Sequence, residues 1–399
     1  MNNPKLRFPE FSGELVEKKL GDIAIFSKGK NISKDDISDE GVLCIRYGEL
    51  YTTYEEKISK VFSKTNLDPS KLVFSKENDV IIPTSGETAI DLATASCVLD
   101  SGIAIGGDTT IIKVEGNGLF ISYYLNSKKT SIAKLAQGAS VVHLYSSHLK
   151  TIDIKVPEIG EQEKISHFLS IVDDKLDFIE KKRDLWKTYK NGIIYQIFNQ
   201  KLRFKDENGQ NFPNWNEKSL FSIADIYGGG TPSTEKSDYW NGSINWFTPS
   251  EVGKDKYVDS SNRKISENGL KNSSAKLLPP GTILISSRAT IGQMSILKSE
   301  GSTNQGFQSL IVNENHSNEF IYYLCHILKR ELIHRASGST FLEISKNEVG
   351  NIKIKVPTLS EQIIIANFLS SIDVKIEKIV KELEIIREFK KGLLQQIFC

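Results

Sequence analysis

The fold is decided by residues 151–198, which read TIDIKVPEIGEQEKISHFLSIVDDKLDFIEKKRDLWKTYKNGIIYQIF. Much of this stretch returns 200 positions later, with Val156-Pro157 repeated at Val356-Pro357 and Glu161-Gln162 repeated at Glu361-Gln362. Further identities at the same offset continue to Phe198 and Phe398. A repeat of this length indicates that the chain contains one architecture twice.

Each copy has the spacing of a long amphipathic helix. Apolar residues recur at three- and four-residue steps after a proline, which disfavours helix at the residue before it. We expect Gly160 and Ser360 to be the N-caps, each followed by a glutamate at the positive end of the helix dipole. About 38 residues at 1.5 Å per residue give a helix of roughly 57 Å. The predicted apolar seam consists of Ile165, Phe168, Val172, Leu176, Ile179 and Trp186 in the first copy, and Ile365, Phe368, Ile372, Ile376, Ile379, Leu383 and Ile386 in the second.

A narrow apolar seam with charged flanks requires a partner helix, and each copy is the obvious partner for the other. The first helix leads away from the first half of the chain, and the second begins in the other half. We therefore predict an antiparallel coiled coil with a globular domain at each end, related by a pseudo-twofold axis. The predicted segments are a first domain at 1–150, a central helix at 151–200, a second domain at 201–350 and a C-terminal helix at 351–399.

The composition is that of an ordinary soluble protein of 399 residues, with 39% hydrophobic and 25% charged residues. Fifty-one basic against 50 acidic residues give a net charge of +1, which argues neither for nor against nucleic acid. The four cysteines are far apart, so we expect reduced, structural thiols. We find no signal-peptide pattern and no apolar run that could span a bilayer, so we expect a cytoplasmic location without membrane contact.

The repeat also includes the start of each half, since Lys5-Leu6-Arg7-Phe8 returns as Lys201-Leu202-Arg203-Phe204. Residues 24–118 and 224–318 differ strongly from each other. Runs rich in Val and Ile predict strands at 41–47, 79–83 and 107–114, with counterparts at 244–247, 281–287 and 309–312. Each domain is therefore predicted to be mixed α/β (α+β). A shared frame around unlike interiors is typical of a duplicated scaffold that presents two different recognition surfaces.

Motifs of an enzyme are absent from the sequence. It lacks the Asn/Asp-Pro-Pro-aromatic tetrapeptide of amino-group methyltransferases and the GxxxxGK[ST] phosphate loop. The six histidines show no HExxH spacing, and no carboxylates stand at metal-ligand spacing, so we predict no catalytic residue and no metal site. Most of the histidines are expected to have ordinary structural roles. His143 differs because it follows a glycine loop and could reach a phosphate or a base.

Several loops carry polar groups that suit DNA. The turn Gly228-Gly229-Gly230-Thr231-Pro232-Ser233 offers free backbone N–H groups and hydroxyls to a phosphate backbone, although it could also be a plain flexible turn. Arg288 follows an apolar strand and could contact guanine or phosphate, or form a structural salt bridge. Asn304 and Gln305 could pair with adenine or could cap turns.

These features together resemble the specificity subunit of Type I restriction-modification enzymes. The resemblance rests on the duplicated Val-Pro-x-x-x-Glu-Gln helices, on Ser286-Ser287-Arg288-Ala289, on Thr303-Asn304-Gln305-Gly306-Phe307 and on the Gly230-Thr231-Pro232-Ser233 turn. It covers essentially the whole chain. The first half departs from the pattern, with Pro83-Thr84-Ser85-Gly86-Glu87 and Gly107-Asp108-Thr109 at the corresponding places.

The resemblance implies a non-catalytic subunit with two target recognition domains, each reading one half of a bipartite, asymmetric sequence in double-stranded DNA. Two modification subunits would dock on it and methylate adenine, and restriction subunits would join them. The chain itself would bind no cofactor, whereas the complex would use S-adenosylmethionine, and ATP with Mg²⁺ for restriction. The helices would fix the spacer between half-sites. Two alternatives stay open, namely a coiled-coil scaffold that reads no DNA and a single-chain methyltransferase or nuclease.

The expected DNA-binding residues lie on the loops of both halves. In the first half they are Lys28, Lys30, Arg46, Tyr47, Thr84, Ser85, Ser140 and His143, and in the second half they are Gly229, Gly230, Thr231, Ser233, Trp246, Thr248, Ser287, Arg288, Asn304, Gln305, Ser339 and Thr340.

Overall fold

The computed structural model describes residues 4–338 and 342–398. It separates into two compact units, which comprise residues 1–181 with 380–399 and residues 182–379. The first unit is therefore built from two separate stretches of the chain, whereas the second is continuous. Both long helices contribute to both units. No helix among the described residues is long and apolar enough to cross a membrane.

Among the described residues, the chain up to Phe198 forms thirteen strands and six α-helices, the last of which continues into the second unit. The strands are β1 Val16–Lys19, β2 Ala24–Lys28, β3 Ile37–Ser38, β4 Val42–Ile45, β5 Lys57–Ile58, β6 Ser63–Thr65, β7 Asp79–Pro83, β8 Ser85–Gly86, β9 Ser96–Val98, β10 Ala104–Ile105, β11 Thr109–Val114, β12 Val142–His143 and β13 Asp153–Val156. The helices are α1 Glu49–Thr52, α2 Ala89–Leu92, α3 Gly118–Ser127, α4 Lys129–Ala133, α5 Ser146–Lys150 and α6 Ile159–Phe198.

The core of the first unit is a five-stranded sheet with the order β2-β11-β7-β9-β5. Its central strand β7 is buried along its whole length, as expected for a short apolar run covered on both faces. A second sheet has the order β10-β4-β6-β3. The predicted strands at 41–47, 79–83 and 107–114 are confirmed by β4, β7 and β11.

The described residues from Asn216 onward form ten further strands and five α-helices, the last of which continues into the first unit. The strands are β14 Asn216–Ser219, β15 Ala224–Gly228, β16 Trp240–Phe247, β17 Tyr257–Val258, β18 Arg263–Ile265, β19 Ile283–Ser286, β20 Met294–Leu297, β21 Gly301–Thr303, β22 Phe307–Val312 and β23 Lys353–Val356. The helices are α7 Glu267–Lys271, α8 Asn318–Ile327, α9 Lys329–His334, α10 Lys346–Gly350 and α11 Leu359–Ile397.

The sheets of the second unit reproduce those of the first. The five-stranded order β15-β22-β19-β20-β17 matches β2-β11-β7-β9-β5 strand for strand, and β18-β16-β21 matches β6-β4-β10. In both units a strand just before the first buried leucine pairs with the strand that precedes the long helix, namely β1 with β13 and β14 with β23. The mixed α/β fold and its duplication, predicted from the sequence, are thus confirmed.

Both long helices begin two residues earlier than predicted. Gly160 and Ser360 are not N-caps but the second helical residues, because the amides of Gln162 and Gln362 already donate to the carbonyls of Glu158 and Thr358. Each proline carbonyl is instead satisfied by a side chain, since Gln162 Nε2 donates to Pro157 O at 2.8 Å and Gln362 Nε2 to Pro357 O at 2.9 Å. The predicted cap positions were wrong because they relied on the preference of glycine and serine for N-caps. The true start of each helix depends on backbone hydrogen bonds that the sequence does not show.

Within each unit the helical segments run antiparallel. In the first unit Asp173 contacts Lys390 and Glu180 contacts Arg387, so numbers rise along α6 as they fall along α11. In the second unit Lys190 contacts Asp373 at 2.5 Å, and Trp186 lies under the ammonium of Lys375. Of the residues in the expected seam, Ile165, Val172, Leu176, Ile179, Ile365, Ile372, Ile379 and Leu383 are buried, and Phe168, Trp186, Phe368, Ile376 and Ile386 are partly buried against the cores.

Candidate nucleic-acid interface

A glycine turn packs against a loop of the neighbouring sheet at the same place in both units. In the first unit Gly29 N donates to Thr109 O at 3.2 Å, and in the second Gly230 N donates to Thr303 O at 2.9 Å. A Cβ at Gly29 would collide with the carbonyl of Gly106, and one at Gly229 with the carbonyl of Asn304. Only glycine permits this close approach of two backbones, so the turn and the loop form one surface.

In the first unit this contact brings several of the expected residues together. Thr84 N donates to Asp108 O at 2.7 Å, and Ser85 Oγ donates to the Asp108 carboxylate at 3.2 Å. Ser85 Oγ also lies 3.0 Å from His143 Nδ1. Lys30 bridges to Gly106 through the backbone. Hydroxyl, imidazole and carboxylate groups therefore line the surface beside an exposed lysine.

The other expected residues of the first unit lie at varied depths. Lys28 and Tyr47 are exposed, as is Ser140 in the hairpin that closes between Gln137 and His143. Arg46 is half-buried, with its Nε 3.7 Å from a Glu49 oxygen. The same Glu49 carboxylate accepts a hydrogen bond from the backbone N–H of Arg46. Arg46 is therefore held against the first residue of α1.

In the second unit the turn and the loop exchange side-chain hydrogen bonds. Thr231 Oγ1 donates to Gln305 Oε1 at 2.6 Å, which leaves the amide N–H groups of Gln305 directed elsewhere. Asn304 Oδ1 accepts from Gly306 N at 2.9 Å and so shapes its own loop. Thr248 Oγ1 donates to Glu251 at 2.7 Å in a capping box. Gln305 and Thr231 are exposed, whereas Asn304 and Thr248 are half-buried.

Two of the expected residues have buried side chains. Trp246 is only 4% exposed and donates its Nε1 to Gly230 O at 2.9 Å, and Ser287 is fully buried. The buried side chains of Trp246 and Ser287 therefore support the glycine turn and the sheet from within the unit. Arg288 is half-exposed and pairs with Glu343 at 2.9 Å, which is the salt bridge considered as its alternative role. Ser339 and Thr340 lie outside the described residues.

Two tryptophans hold the glycine turn of the second unit. Besides the bond from Trp246, Trp240 donates its Nε1 to Ser233 O at 3.0 Å, and the two rings meet edge to face at 5.1 Å. The guanidinium of Arg263 lies over the Trp240 ring, with Cζ 3.7 Å from the ring centroid. Sequence reasoning missed Arg263 and Trp240 because the strand pairing that joins them cannot be read from local spacing.

The duplicated motifs are explained by buried ion pairs. Arg7 contacts both oxygens of Glu161 at 2.7 Å, and Arg203 contacts Glu361 at 3.1 and 2.7 Å. Both glutamates are almost wholly buried, and such two-pronged contacts are strong and directional. The repeated Lys-Leu-Arg-Phe and Glu-Gln motifs are therefore two halves of one contact in each unit. Their joint repetition was the signal in the sequence that could have identified this contact.

A second duplicated contact joins each domain to both helices. In the first unit Asp173 accepts from Tyr123 at 2.5 Å and contacts Lys390 at 2.8 Å. In the second unit Asp373 accepts from Tyr323 at 2.5 Å and contacts Lys190 at 2.5 Å. Each lysine thus crosses to the aspartate of the other helix. Burial raises the pKa of Asp173 above its ordinary value despite the nearby lysine.

The acidic residues Glu55, Glu56 and Asp173 place three carboxylates together in the first unit. Lys390 already lies among them, 3.5 Å from Glu55, 2.7 Å from Glu56 and 2.8 Å from Asp173. Burial alone would lower the pKa of Lys390, but the charges of Glu56 and Asp173 outweigh it and raise that pKa. The ammonium group supplies the positive charge that this cluster requires.

The cysteines of the described chain are buried and unbridged. Cys44, Cys97 and Cys325 are free, as expected for structural thiols, and Cys399 lies outside the described residues. Burial raises the pKa of the Cys44 thiol to about 11 and those of Cys97 and Cys325 to about 12. These thiols are therefore protonated at neutral pH.

The fold and the paired surfaces define a protein with two recognition units that share a sheet frame and differ in their loops. A family model described as the Type I restriction modification DNA specificity domain matches residues 13–185 and again residues 213–387. The chain belongs to this family, and carries its domain twice.

Relatives and solved structures agree with this assignment. The MjaIX specificity subunit of a Type I restriction enzyme from Methanocaldococcus jannaschii is 34% identical over 206 residues, which is 50% of this chain and 48% of that protein. The alignment thus spans about half the length of this relative. The MjaVIII specificity subunit from the same organism is 26% identical over 410 residues, covering 98% of this chain and 92% of that protein. The crystal structure of a Type I restriction-modification S subunit from M. genitalium superposes with a TM-score of 0.62 at 19% identity, covering 100% of this chain and 99% of the other, which shows the same fold.

Proposed function

We propose that this chain is the DNA sequence-recognition subunit of a Type I restriction-modification complex and has no catalytic activity of its own. Each recognition unit reads one half of a bipartite, asymmetric target in double-stranded DNA. The observation that carries the proposal is the repetition of one sheet order around two chemically different loop surfaces. A duplicated frame with unlike loops suits two different half-sites, because sequence is read by side chains that reach base edges.

The proposed DNA surface contains fewer residues than the sequence predicted. It keeps the exposed and half-buried residues of both units, namely Lys28, Lys30, Arg46, Tyr47, Thr84, Ser85, Ser140, His143, Thr231, Ser233, Thr248, Arg288, Asn304 and Gln305. Gly229 and Gly230 contribute the backbone of the turn. Trp246 and Ser287 support this surface from beneath, because their side chains are buried.

The partners follow from membership of the family and remain part of the proposal. Two modification subunits dock on the helices and methylate adenine, and restriction subunits join the assembly. S-adenosylmethionine, and ATP with Mg²⁺, serve those subunits and not this chain. The net charge of +1 is consistent with this division, because a chain with almost as many acidic as basic residues has little overall attraction for the phosphate backbone.

The proposal is tested with the chain assembled with its modification subunits. Sequencing of methylated DNA from the native complex should show one bipartite site. Thr84→Ala with Ser85→Ala should alter preference in one half-site only, and Thr231→Ala with Gln305→Ala in the other only. If both pairs of substitutions changed the same half-site, the assignment of one half-site to each unit would be wrong.

Two further measurements separate the alternatives. The purified chain incubated with S-adenosylmethionine and DNA should give no methylation, whereas methylation by the chain alone would indicate an enzyme. Gel-shift assays of the modification subunits with and without this chain should show sequence-specific binding only when this chain is present. A complex that binds all sequences equally would instead indicate a scaffold that reads no DNA.

A further inference from the structure

Arg263 is exposed, and its guanidinium group lies over an aromatic ring. Its Cζ lies 3.7 Å from the centroid of Trp240 and 5.4 Å from that of Trp246. Stacking of this kind is attractive for the cation and restricts a side chain that otherwise has many rotamers. The guanidinium group is therefore held in position before any ligand arrives.

The stack is attached directly to the proposed DNA surface. Both indoles donate to carbonyls of the glycine turn, Trp246 to Gly230 and Trp240 to Ser233. Between these two anchor points the turn carries Thr231, which is bonded to Gln305. The Trp240 ring thus connects Arg263 to the glycine turn, whose residues Thr231 and Ser233 belong to the proposed DNA surface.

Arg263 also differs from most other arginines of the chain in having no carboxylate partner among the residues that the structure describes. The arginines that contact a carboxylate are Arg7, Arg46, Arg183, Arg203, Arg288, Arg335 and Arg387. A paired guanidinium has to give up its partner before it binds a new acceptor. Within the described ranges, no carboxylate competes for the N–H groups of Arg263.

The equivalent position in the first unit has different chemistry. Trp246 of β16 pairs in register with Arg263 of β18 and with Ser302 of β21. In the first unit Cys44 of β4 pairs with Ser63 of β6 and with Ala104 of β10. The arginine is therefore replaced by Ser63, whose hydroxyl donates to Glu49. A difference of this kind, at one position of a shared sheet, is expected where two units read different bases.

We propose that Arg263 reads a guanine in the half-site of the second unit, an inference that rests on the function proposed above. A fixed guanidinium fork matches the O6 and N7 acceptors of guanine in the major groove, which is the commonest specific contact to that base. The Trp240 ring sets the plane of the fork, and the glycine turn places the ring. In this arrangement Trp240 is a positioning residue and Arg263 contacts the base.

The test uses the complex of this chain with its modification subunits and a DNA library randomised across both half-sites. Bound DNA is selected at equilibrium and sequenced for the native chain, for Arg263→Lys and for Arg263→Ala. Lysine keeps the positive charge over the ring but lacks the planar fork, so it controls for loss of folding. The native complex should require guanine at one position of the second half-site. Both variants should lose discrimination at that position by about tenfold or more and keep every other preference.

Arg330→Lys is the matched control, because Arg330 is an exposed arginine of the same unit on α9 and has no part in the tryptophan stack. It should leave the selected sequences unchanged. The unaltered first half-site provides an internal measure of folding for every variant.

Other outcomes overturn the inference. In one such outcome, Arg263→Lys and Arg263→Ala leave all base preferences intact, and Arg263→Ala weakens binding to every sequence. If the salt dependence of the affinity also fell by about one phosphate contact, Arg263 would contact a phosphate and not a base. If the native second half-site contained no required guanine, the assignment would also be wrong. In both cases specific binding by the native complex would leave the proposed function standing. Absence of any base preference in the native complex would overturn both.

Discussion

At the scale of the residue, the glycine turn of the second unit is sensitive to a single methyl group. Gly229→Ala places a Cβ against the carbonyls of Asn304 and Thr303, neither of which can move without opening the loop. We expect a loss of stability of about 1–3 kcal/mol, as for overpacked sites. The measurement is the free energy of unfolding in urea.

The neighbouring Gly228 offers a matched control, because the nearest atom to its added Cβ is 4.0 Å away. Gly228→Ala should therefore change stability by less than about 0.5 kcal/mol. Equal effects of the two substitutions would show that backbone freedom, and not the contact with Asn304, determines the result.

Lys390 is a buried cation whose removal leaves two buried carboxylates without compensation. We expect Lys390→Met to destabilise the first unit by about 3 kcal/mol or more, since breaking one side of a buried pair costs more than the pair contributes. The adjacent Lys391 is largely exposed with only a 3.7 Å contact to Glu388, so Lys391→Met should have little effect. Hydrogen exchange of the first unit would distinguish the two, and comparable protection in both variants would contradict the prediction.

Asp79 at the start of β7 should make stability depend on pH in an unusual direction. Burial raises the pKa of Asp79 above its ordinary value of 3.8 although the Lys76 amide donates to it. A raised folded-state pKa means that the folded chain binds the proton more tightly than the unfolded chain. The ionised carboxylate therefore costs stability above the folded pKa, and this cost disappears as the pH falls below 3.8. The native chain should thus gain stability relative to Asp79→Asn between about pH 7 and about pH 4.

Asp68 should make stability depend on pH in the opposite direction to Asp79. Its exposed carboxylate accepts from Ser70 N, and this hydrogen bond lowers the pKa of Asp68. A lowered folded-state pKa gives stability that is present above the unfolded pKa and lost as the pH falls through the folded one. The native chain should therefore lose stability relative to Asp68→Asn on acidification. The free energy of unfolding in urea, measured across this pH range for the native chain and both variants, tests the two predictions. If the two differences from the native chain changed with pH in the same direction, the stated pKa shifts of Asp79 and Asp68 would be wrong.

At the scale of the element, each long helix is fixed at its N-terminus by an arginine from about 150 residues earlier. Glu361→Ala would leave Arg203 half-buried, with the carbonyls of Phe212 and Pro213 as its acceptors in the described part of the chain. We expect a loss of about 3 kcal/mol in the stability of the second unit. The exposed Glu377 of the same helix is the control, and Glu377→Ala should change little, as read by thermal unfolding of both variants.

The sequence predicted the elements well and the contacts between them poorly. Periodicity identified α6 and α11 to within a turn, and apolar runs identified β7 and β11, because these signals are local. The partners of Glu161 and Asp173 were not identified, because they are chosen by tertiary placement of distant side chains. Trp246 was predicted to lie on the DNA surface, but its ring is buried under the glycine turn, because the depth of a side chain depends on tertiary packing.

At the scale of the whole molecule, the proposed function assigns the helices the task of setting the spacer between half-sites. Removing seven residues from the middle of α6 and the matching seven from α11 would keep the phase of the apolar seam. We expect the assembled complex to methylate sites with the same half-sites and a shorter spacer. Sequencing of methylated DNA would measure this directly, and an unchanged spacer would show that the helices do not determine the distance.

The division of the first unit between two stretches of chain has a consequence for its biosynthesis. Leu393, Ile397 and Phe398 belong to the core of that unit, and the Lys5 and Leu6 amides both donate to Gln396 O. A ribosome that has released residues up to 379 has delivered every part of the second unit, while the first still lacks this closing segment. The domain that is translated first is therefore the one that completes its fold last, and until then its nascent core exposes apolar surface to the cell's chaperones.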